Sequence, residues 1–380
     1  MPTLRDVTAA LDSLYDPRRA EPWDAVGLVC GDPDDDVGRV LLAVDPVEAV
    51  VDEALEWSAD LLVTHHPLFL KPVHGVAATT PKGRLVHRLV RGGCGLLVAH
   101  TNADSARPGV SDALADAIGL TRLRPLAPRP ADETDKLVTF VPHEDAARVL
   151  DALASAGAGT IGAYERCAWT TTGTGTFRAL KGAAPTIGHV GQVEEVAETR
   201  LEMVLPRRVR RAVVAALRAA HPYEEPAYDV YELAPTQTGE GLGRVGELPD
   251  PEPMADFVRR VAAALPPTAA GVRAAGDPDR RVRHVAVCGG AGDSLLDAVR
   301  AEGVDAYVTA DLRHHPAGEA QEHADAPALV DVTHWASEWP WLADAARRLT
   351  DRLARQGTTV VTRVSATPTD PWTLHEGSAR

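Results

Sequence analysis

This chain of 380 residues has few cysteines, no long apolar run and no excess of positive charge. Its four cysteines are Cys30, Cys94, Cys167 and Cys288. Because no two of them form a Cys-x-x-Cys pair, a thiolate zinc site or a redox pair is disfavoured. We interpret them as isolated, small, buried residues in a reducing compartment.

The absence of long apolar runs bears on where the protein is expected to reside. No run approaches the ~18–20 consecutive apolar residues of a membrane span, so we expect no membrane partner. The beginning, Met1-Pro-Thr-Leu-Arg-Asp, lacks the basic start and the apolar stretch of a secretion signal. We therefore predict a cytoplasmic protein.

Positive charge is in deficit, with 39 basic against 54 acidic residues and a formal net charge of −15. Such a surface repels phosphate backbones, so nucleic acid is not expected as a partner. Nearly all basic residues are arginine, and the only asparagine is Asn102. Together with abundant Ala, Gly and Pro, this is typical of a GC-rich genome, so arginine in place of lysine carries little functional weight.

The composition is that of a globular protein, and the first part of the chain repeats a strand–helix pattern. A hydrophobic share of 45% and a charged share of 24% exclude general disorder. At ~150 residues per domain, the length suggests two or three domains. Continuous apolar runs predict buried strands, and periodic ones predict helices, over residues 40–44, 61–64, 82–91, 95–99 and 110–118. Strands alternating with helices indicate a parallel sheet.

The middle of the chain follows a different pattern. Residues 121–135, rich in Pro and charge, and the glycine-rich residues 235–250 are predicted as boundaries. Between them strands and helices are predicted over residues 137–141, 143–155, 175–180, 200–205, 207–219 and 227–233. Two βαβ units of this size predict a ferredoxin-like sandwich.

The last part returns to alternating strands and helices, with strands predicted over residues 284–287, 306–309 and 328–331. We therefore predict an α/β fold, in which a two-lobed αβα body with parallel-type sheets carries an inserted ferredoxin-like α+β domain. The expected domains are an N-terminal lobe of residues 1–125, an insertion of residues 126–245 and a C-terminal lobe of residues 246–380. Residues beyond Ser365 show no clear period and are expected to be loosely held.

Histidines and acidic residues follow four of the predicted strands. They are His65 and His66, then His100 and Asp104, then Asp311, and finally His334 and Glu338. In open parallel sheets, ligands bind outside the carboxyl ends of the strands, so these side chains are expected to meet at that edge. A His-His pair or a His-x-x-x-Glu pair taken alone is commonly structural, and the convergence of four strand ends favours a site.

The residue types at these strand ends are those that bind divalent metals, since zinc, manganese and iron(II) take imidazole nitrogen and carboxylate oxygen. His334 and Glu338 are four residues apart and share one face of a helix. His65 and His66 point in different directions from an extended backbone, so we expect them to address two different ions. Carboxylates such as Asp104 can bridge two ions, and the set is therefore suited to a dinuclear centre.

Several other features favour a structural interpretation over a functional one. Asp45-Pro46 before Glu48 predicts a capped helix start. Residues 289–294 predict a tight turn before a capped helix rather than a phosphate site. The second His-His-Pro sequence, at His314 and His315, is expected at the rim, and the arginines of residues 207–211 are expected on a solvated helix face. For Asp24, a catalytic role and a packing turn remain open.

Seven short motifs carry a resemblance to a known family. They are Trp23-Asp-Ala-Val-Gly-Leu28, Thr64-His-His-Pro-Leu68, His100-Thr-Asn-Ala-Asp104, His221-Pro-Tyr-Glu-Glu-Pro226, Gly241-Leu-Gly-Arg-Val-Gly246, Tyr307-Val-Thr-Ala-Asp311 and His334 through Glu338. With these motifs the chain resembles the Nif-three-like dinuclear metal family, also described as GTP cyclohydrolase I type 2 homologues. One departure is Ala310, where many relatives carry glycine.

The resemblance implies metal ligands at His65, His66, Asp104, His334 and Glu338, with Glu338 bridging two divalent ions per chain. Zinc is expected, with manganese, iron or magnesium as alternatives. The resemblance also implies a homohexamer of toroidal shape with the sites facing an internal cavity, and a middle domain similar to the PII and CutA proteins. His100 and Asp311 are candidate catalytic residues, with plain loop hydrogen bonds as the competing interpretation.

Two functions follow from the sequence and the resemblance. The first is a dinuclear metal-dependent hydrolase similar to GTP cyclohydrolase, which opens a purine ring and releases formate from a small-molecule, nucleotide-like substrate. The second is a metal-binding regulatory or metal-handling protein without turnover. No Ser-His-Asp nucleophile, Walker loop or dinucleotide motif indicates another kind of enzyme.

Overall fold

The computed structural model describes residues 1–235 and 237–376. The chain divides into two compact units. The first, which we call the body, is made of Met1–Arg129 and the chain from Gly239 onward. The second, which we call the inserted unit, is Pro130–Thr238.

The helices predicted over residues 82–91, 110–118, 143–155 and 207–219 are present within three residues of those bounds, and further helices lie elsewhere. In chain order, the helices are α1 (Leu4–Leu14), α2 (Glu48–Glu56), α3 (Pro81–Arg91), α4 (Thr101–Ser105), α5 (Val110–Ala117), α6 (Ala146–Ser155), α7 (Arg210–Ala220), α8 (Met254–Ala264), α9 (Leu296–Glu302), α10 (His314–Gln321) and α11 (His334–Arg355). Among the described residues, none of these helices has both the length and the apolar character needed to cross a membrane.

The strands form three sheets. They are β1 (Gly27–Cys30), β2 (Arg39–Ala43), β3 (Leu61–Thr64), β4 (Gly95–Val98), β5 (Thr121–Pro130), β6 (Thr134–Pro142), β7 (Trp169–Arg178), β8 (Val193–Pro206), β9 (Tyr228–Glu232), β10 (Gln237–Pro253), β11 (Arg273–Ala275), β12 (Arg281–Ala291), β13 (Ala306–Ala310), β14 (Ala328–Val332) and β15 (Val361–Val364).

The body contains two sheets whose centres are parallel, as predicted. One has the order β1-β4-β3-β2-β15, and the other has the order β11-β14-β13-β12-β10-β5. Neighbours β2, β3 and β4 pair in parallel, as do β12, β13 and β14. The strands β1, β10 and β11 pair antiparallel with their neighbours, so the sheets are mixed. Every residue of β3 and β4 is buried, which explains their uninterrupted apolar sequence.

One apolar core joins the two sheets of the body. It contains Val63 from the first sheet, Val308 and Val330 from the second, and Trp341 and Leu349 from α11. The helix α11 packs against strands of both sheets and against α1 and α5. Because α11 starts directly after β14, its first turn is fixed at the carboxyl ends of the parallel strands.

The inserted unit has one antiparallel sheet of order β7-β8-β6-β9. Its helices α6 and α7 share a single core with the sheet, which includes Leu137, Val149, Met203 and Leu217. This strand order with two helices on one face is the arrangement of a ferredoxin-like sandwich. The expected likeness to the PII and CutA proteins stays a prediction.

The two predicted boundary segments are strands. Residues 121–135 contain all of β5, and residues 235–250 contain most of β10. Both strands pair in the second sheet of the body, where their prolines and glycines are accommodated. The expected domain limits at 125/126 and 245/246 stay predictions.

The basic cluster at the start of α7 is only half solvated. Arg208 and Arg211 are exposed, whereas Arg210 Nε donates to Asp135 Oδ2 at 2.7 Å and Arg207 Nε donates to Asp135 Oδ1 at 3.2 Å. Asp135 is fully buried, and its hydrogen bonds to Arg210 and Arg207 lower the pKa of its carboxyl. The ionised carboxylate therefore stabilises the inserted unit at a pH above the ordinary pKa of aspartate. This contribution is lost as the pH falls through the lowered pKa.

The cysteines are free throughout the described residues. Cys94 and Cys288 are buried, and burial raises the pKa of each thiol to about 12. Cys30 and Cys167 are partly exposed, so the expectation of burial is wrong for these two.

The glycine-rich motif on β10 serves a buried arginine. Arg244 is fully buried, and its Nε donates to Asp112 Oδ1 on α5 at 2.9 Å. Its Nη1 donates to the carbonyls of Gly241 and Gly243, each at 2.7 Å, and Nη2 donates to the carbonyl of Ala106, just past α4. The glycines bring their backbone carbonyls close to the guanidinium, and Arg244 ties β10 to α4 and α5.

Replacement of Arg244 by Met tests this tie. We expect Arg244→Met to lower the free energy of unfolding by about 3–5 kcal/mol in urea, because the carboxylate of Asp112 loses its buried partner. The double variant with Asp112→Leu is expected to recover part of this loss. The exposed Arg259→Met in α8 is the control, with an expected change of at most about 0.5 kcal/mol. Equal stability of Arg244→Met and the control would contradict this account.

Candidate metal centre

The two histidines after β3 turn their rings into one cluster. His65 is fully buried, and its Nδ1 donates to the carbonyl of Ala99 at 2.9 Å. His66 Nδ1 donates to Asp45 Oδ1 at 2.7 Å. A carbonyl and a carboxylate only accept hydrogen bonds, so Nδ1 of each ring carries a proton and Nε2 is the nitrogen that faces the cluster. The ring centroids are 5.1 Å apart.

His65 and His66 do not diverge as the extended-strand argument expects. The strand β3 ends at Thr64, and the hydroxyl of Thr64 donates to the carbonyl of His66 at 2.9 Å. The chain therefore turns at this point, and the alternation of side chains along a strand does not continue. Both residues belong to one group with His100 in which one candidate ligand atom of each residue lies within 4.8 Å of the others.

His334 and His100 repeat the same arrangement. His334 Nδ1 donates to Asp311 Oδ2 at 2.7 Å, and His100 Nδ1 donates to Asp24 Oδ1 at 2.8 Å. The hydrogen bond from His334 lowers the pKa of the Asp311 carboxyl. Burial would raise the pKa of Asp24, but hydrogen bonds from His100 and Thr101 lower it well below its usual range. In all four histidines, Nδ1 is thus fixed by an oxygen, and Nε2 faces the inside of the cluster.

Glu338 lies at the centre of this cluster, on the first turn of α11, and is 3% exposed. Its Oε1 is 3.0 Å from His334 Nε2 and 3.4 Å from His65 Nε2. Its Oε2 is 3.1 Å from His66 Nε2. The carboxylate of Asp104 completes the set, with Oδ1 at 3.6 Å from His65 Nε2.

Three polar atoms of the cluster are buried without a hydrogen bond. They are His65 Nε2, Asp104 Oδ1 and Glu338 Oε2, and none has a partner of acceptable geometry within the part of the chain that the structure describes. Each such atom costs roughly 1–3 kcal/mol if nothing satisfies it. A divalent cation would satisfy all three, and imidazole nitrogen with carboxylate oxygen is the donor set of zinc, manganese and iron(II). The residues therefore fit a metal.

The charges of the cluster support the same conclusion. Burial would raise the pKa of Glu338, yet His66, His334 and His65 lower it well below its usual range. Burial would lower the pKa of His66, yet Glu338 and Asp45 raise it to about 10. Burial would likewise lower the pKa of His334, yet Glu338 and Asp311 raise it to about 11. Without a metal, protons on these imidazoles provide the positive charge that the buried carboxylate requires.

A glycine on the second sheet leaves room for the cluster. Gly290 on β12 has a φ of +69°, and a Cβ there would lie 2.5 Å from Glu338 Oε1 and 3.0 Å from His334 Nε2. The Gly290 N–H donates to the Ser337 hydroxyl at 2.8 Å. Residues 289–291 thus continue β12 as a wall of the site, and the predicted tight turn before a capped helix is wrong, because Gly292 makes no side-chain cap.

Two functional residues were missed or misread from the sequence. Asp45 follows the buried strand β2, as the other candidates follow theirs, and the predicted helix cap at this position is wrong. The helix α2 begins at Glu48 without any side-chain cap, and Asp45 orients His66 instead. Asp24, for which two interpretations were open, orients His100.

The structure brings together His65, His66, His100, Asp104, Asp311, His334 and Glu338, which are all seven of the predicted site residues. It places His314 and His315 in α10, where both are exposed and contact each other. Asp311 does not face the centre, since it contacts the outer nitrogen of His334.

The chain belongs to the family described as Duf34/NIF3 (NGG1p interacting factor 3), whose model matches residues 2–371. The resemblance seen in the seven motifs is thereby confirmed. A protein of Mycobacterium tuberculosis named "GTP cyclohydrolase 1 type 2 homolog" is 57% identical over 378 residues, which is 99% of this chain and 98% of that one. A Streptomyces coelicolor protein of the same name is 41% identical over 379 residues, covering 100% and 96% of the two chains.

Solved structures show the same fold. A Bacillus cereus protein related to NIF3 is 34% identical, with a TM-score of 0.76 and coverage of 98% of this chain and 99% of that one. A Staphylococcus aureus protein is 26% identical, with a TM-score of 0.83 and the same coverage. Both alignments extend over the body and the inserted unit, so the α/β fold class is confirmed.

Substitution of Asp45 tests the orienting hydrogen bonds. We expect Asp45→Asn to weaken zinc binding about 10–100-fold, because the carboxylate fixes the ring of His66 and increases its basicity. The control is Asp297→Asn on α9, whose side chain is 97% exposed. Chelator competition measures both affinities, and equal affinities of the two variants would show that Asp45 has no part in the site.

The raised pKa values of His66 and His334 predict that metal binding depends on pH. A metal ion takes the Nε2 lone pair, so binding displaces protons from imidazoles whose pKa is about 10 and about 11 in the metal-free chain. We expect zinc affinity to fall as the pH is lowered from about 8 to about 6. Titration calorimetry in buffers of different ionisation enthalpy is expected to detect the released protons. A pH-independent affinity would contradict this prediction.

Proposed function

We propose that this protein is a dinuclear metal-dependent hydrolase that acts on the purine ring of a nucleotide, as a GTP cyclohydrolase does. The observation that carries the proposal is the convergence of four oriented imidazoles on the buried carboxylate of Glu338 and the partly buried one of Asp104, with three buried atoms left without hydrogen bonds. The names of the curated relatives support the substrate class.

We propose His65, His66, Asp104, His334 and Glu338 as the ligands of two divalent ions per chain. Glu338 would be the bridging ligand, since its two oxygens face different histidines: Oε1 faces His334 and Oε2 faces His66. The predominance of imidazole favours zinc, and manganese, iron and magnesium remain as alternatives that availability decides. When bound, the ions would supply Lewis acidity and make a water molecule more acidic.

His100 is the proposed proton carrier. Its Nδ1 donates to Asp24, and this hydrogen bond fixes the orientation of the ring. Nε2 is then free to take a proton from water and return it to a ring nitrogen. Asp311 is a positioning residue in this proposal, because it contacts His334 Nδ1.

The proposed reaction consumes two water molecules. The first adds at C8 of the purine, the C8–N9 bond breaks, and N9 takes up a proton to give a formamide on N7. The second water cleaves this formamide at its C–N bond, so that C8 leaves as formate and N7 becomes an amine. No oxidant or other co-reactant is required.

A second candidate function is metal-dependent regulation or metal handling without turnover. The observation that favours it is a cavity of about 610 Å³ within the inserted unit, lined by Phe140, Phe177, Tyr223 and strand β7 among others. A cavity of this size suits a small molecule. The inserted unit would then sense a ligand while the body holds the metal.

We also propose a cytoplasmic homohexamer with the metal sites facing an internal cavity. The family resemblance supports the hexamer, and the acidic composition with unpaired cysteines supports the location. Light scattering combined with chromatography tests the oligomer.

Formate release by the metal-loaded protein separates the two candidate functions, and Glu338→Gln tests whether that release depends on the metal. Wild-type protein purified without chelator is expected to hold two metal ions per chain and to release formate from GTP. Glu338→Gln keeps the shape but loses the charge, and we expect it to lose both the metal and formate release. Metal analysis with formate detection measures both. Two ions per chain without turnover on any nucleotide would favour regulation.

His100→Gln tests the proposed proton carrier. We expect the metal content to be unchanged and formate release to fall about 100-fold or more, since general acid–base catalysis contributes ~10²–10⁴-fold. The control is His315→Gln, an exposed histidine of α10. Loss of metal from His100→Gln would assign it as a ligand instead.

A further inference from the structure

A cavity of about 750 Å³ opens beside the candidate metal centre in the body. Its polar side includes Asp45, His66, Asp311 and His334. Its opposite side is formed by residues 369–375, which we call the C-terminal strap. A volume of this size accommodates a substrate rather than a water molecule or an ion alone.

The C-terminal strap is held to the body by hydrogen bonds, contrary to the expectation of a loose tail. Before it, the hydroxyls of Ser365 and Thr367 donate to Glu53 Oε2 at 2.6 and 2.8 Å. The Thr369 hydroxyl donates to Asp45 Oδ2. Because Asp45 also accepts from His66, the strap and the metal cluster share one carboxylate.

The strap brings an indole ring to the cavity. Trp372 lines the cavity and is 68% exposed, while Trp335 lines it from α11 and is almost buried. An exposed indole at the border of a cavity offers a flat apolar face to a planar ring. Aromatic side chains bind the rings of nucleobases in this way.

Polar groups near Trp372 narrow the class of ligand. Asp370 lines the same cavity, and its Oδ1 accepts a hydrogen bond from the backbone N–H of Trp372 at 2.9 Å. Its Oδ2 is buried without a hydrogen bond among the described residues. Such an oxygen can accept from a ring N–H or amino group. Arg273 also lines the cavity, and its Nε donates to Asp331 Oδ2 at 2.6 Å. Nη2 also contacts Asp331 Oδ2, and the side chain is 75% exposed, so Nη1 is the terminal group that is accessible to an anion.

We propose that Trp372 stacks on the nitrogen heterocycle of the substrate and that Arg273 receives its anionic group. The ligand class is a phosphorylated nucleoside or a similar planar heterocycle carrying an anion. This inference rests on the proposed function only in placing the reactive ring edge toward His66 and His334. It assigns specificity to the C-terminal strap rather than to the metal ligands.

The test measures binding to zinc-loaded full-length protein by calorimetry. The probes are GTP, ATP, a pterin and a flavin mononucleotide, with ribose 5-phosphate as the probe that lacks a ring. We expect Trp372→Ala to raise the Kd of the heterocycles that bind by about 10-fold or more, and Trp372→Phe to keep it within about threefold. The Kd of ribose 5-phosphate is expected to be unchanged. Trp169→Ala is the control, an exposed indole of the inserted unit.

Two further measurements exclude a merely structural role. Binding of a heterocycle is expected to quench indole emission in the wild type and to quench it less in Trp372→Phe. Arg273→Gln is expected to abolish the preference for GTP over guanosine while leaving guanosine binding unchanged.

The outcomes distinguish this inference from the proposed function. The inference is overturned if no heterocycle binds, or if Trp372→Ala binds them as the wild type does. If the heterocycles bind through Trp372 but no formate is released, the hydrolase proposal fails, and the proposed binding of heterocycles by Trp372 is retained.

Discussion

Glu338 is a carboxylate held out of water with three imidazole nitrogens within 3.4 Å of its oxygens. A buried charge of this kind is costly unless positive charge surrounds it, and in the metal-free chain only protons on the histidines provide it. The rest of the site is arranged around this requirement. Each surrounding imidazole is oriented by an oxygen on its outer side, so that its inner nitrogen faces the carboxylate or its neighbours.

The fold supplies this arrangement through one helix and two sheets. The strands β3 and β4 deliver His65, His66, His100 and Asp104 from the first sheet, and β14 leads directly into α11 with His334 and Glu338. Since α11 packs on both sheets through one core, the two halves of the cluster are held in register. Arg244 supports the same geometry, because its hydrogen bonds fix the segment that follows α4. The inserted unit supplies none of the residues of the cluster.

Much of this could be predicted from the sequence, because strand ends in parallel sheets meet at a common edge. That single rule selected seven residues that the structure brings together. It failed for Asp45, where a helix-cap pattern competed with the strand-end pattern and the tertiary contact with His66 prevailed. A second rule, the alternation of side chains along a strand, failed for His65 and His66, since β3 ends at Thr64 and the chain turns there.

Other features could not be predicted, because they depend on contacts distant in sequence. The steric need for glycine at position 290 arises from Glu338 and His334, 48 and 44 residues later. The two predicted boundary segments have the composition of linkers, yet β5 and β10 pair within the second sheet of the body. Composition describes the local chain, and strand pairing overrides it.

The hydrogen bonds that Asp45 accepts from His66 and from Thr369 have a thermodynamic consequence. One oxygen of this carboxylate faces a candidate ligand, and the other holds the wall of the cavity. Any ligand that shifts the strap therefore changes the basicity of His66, and any ion bound at His66 changes the freedom of the strap. Linkage requires these two effects to be equal in free energy. A metal ion and a cavity ligand that bind as proposed would thus be coupled through a single side chain, and each would change the affinity of the other by the same factor.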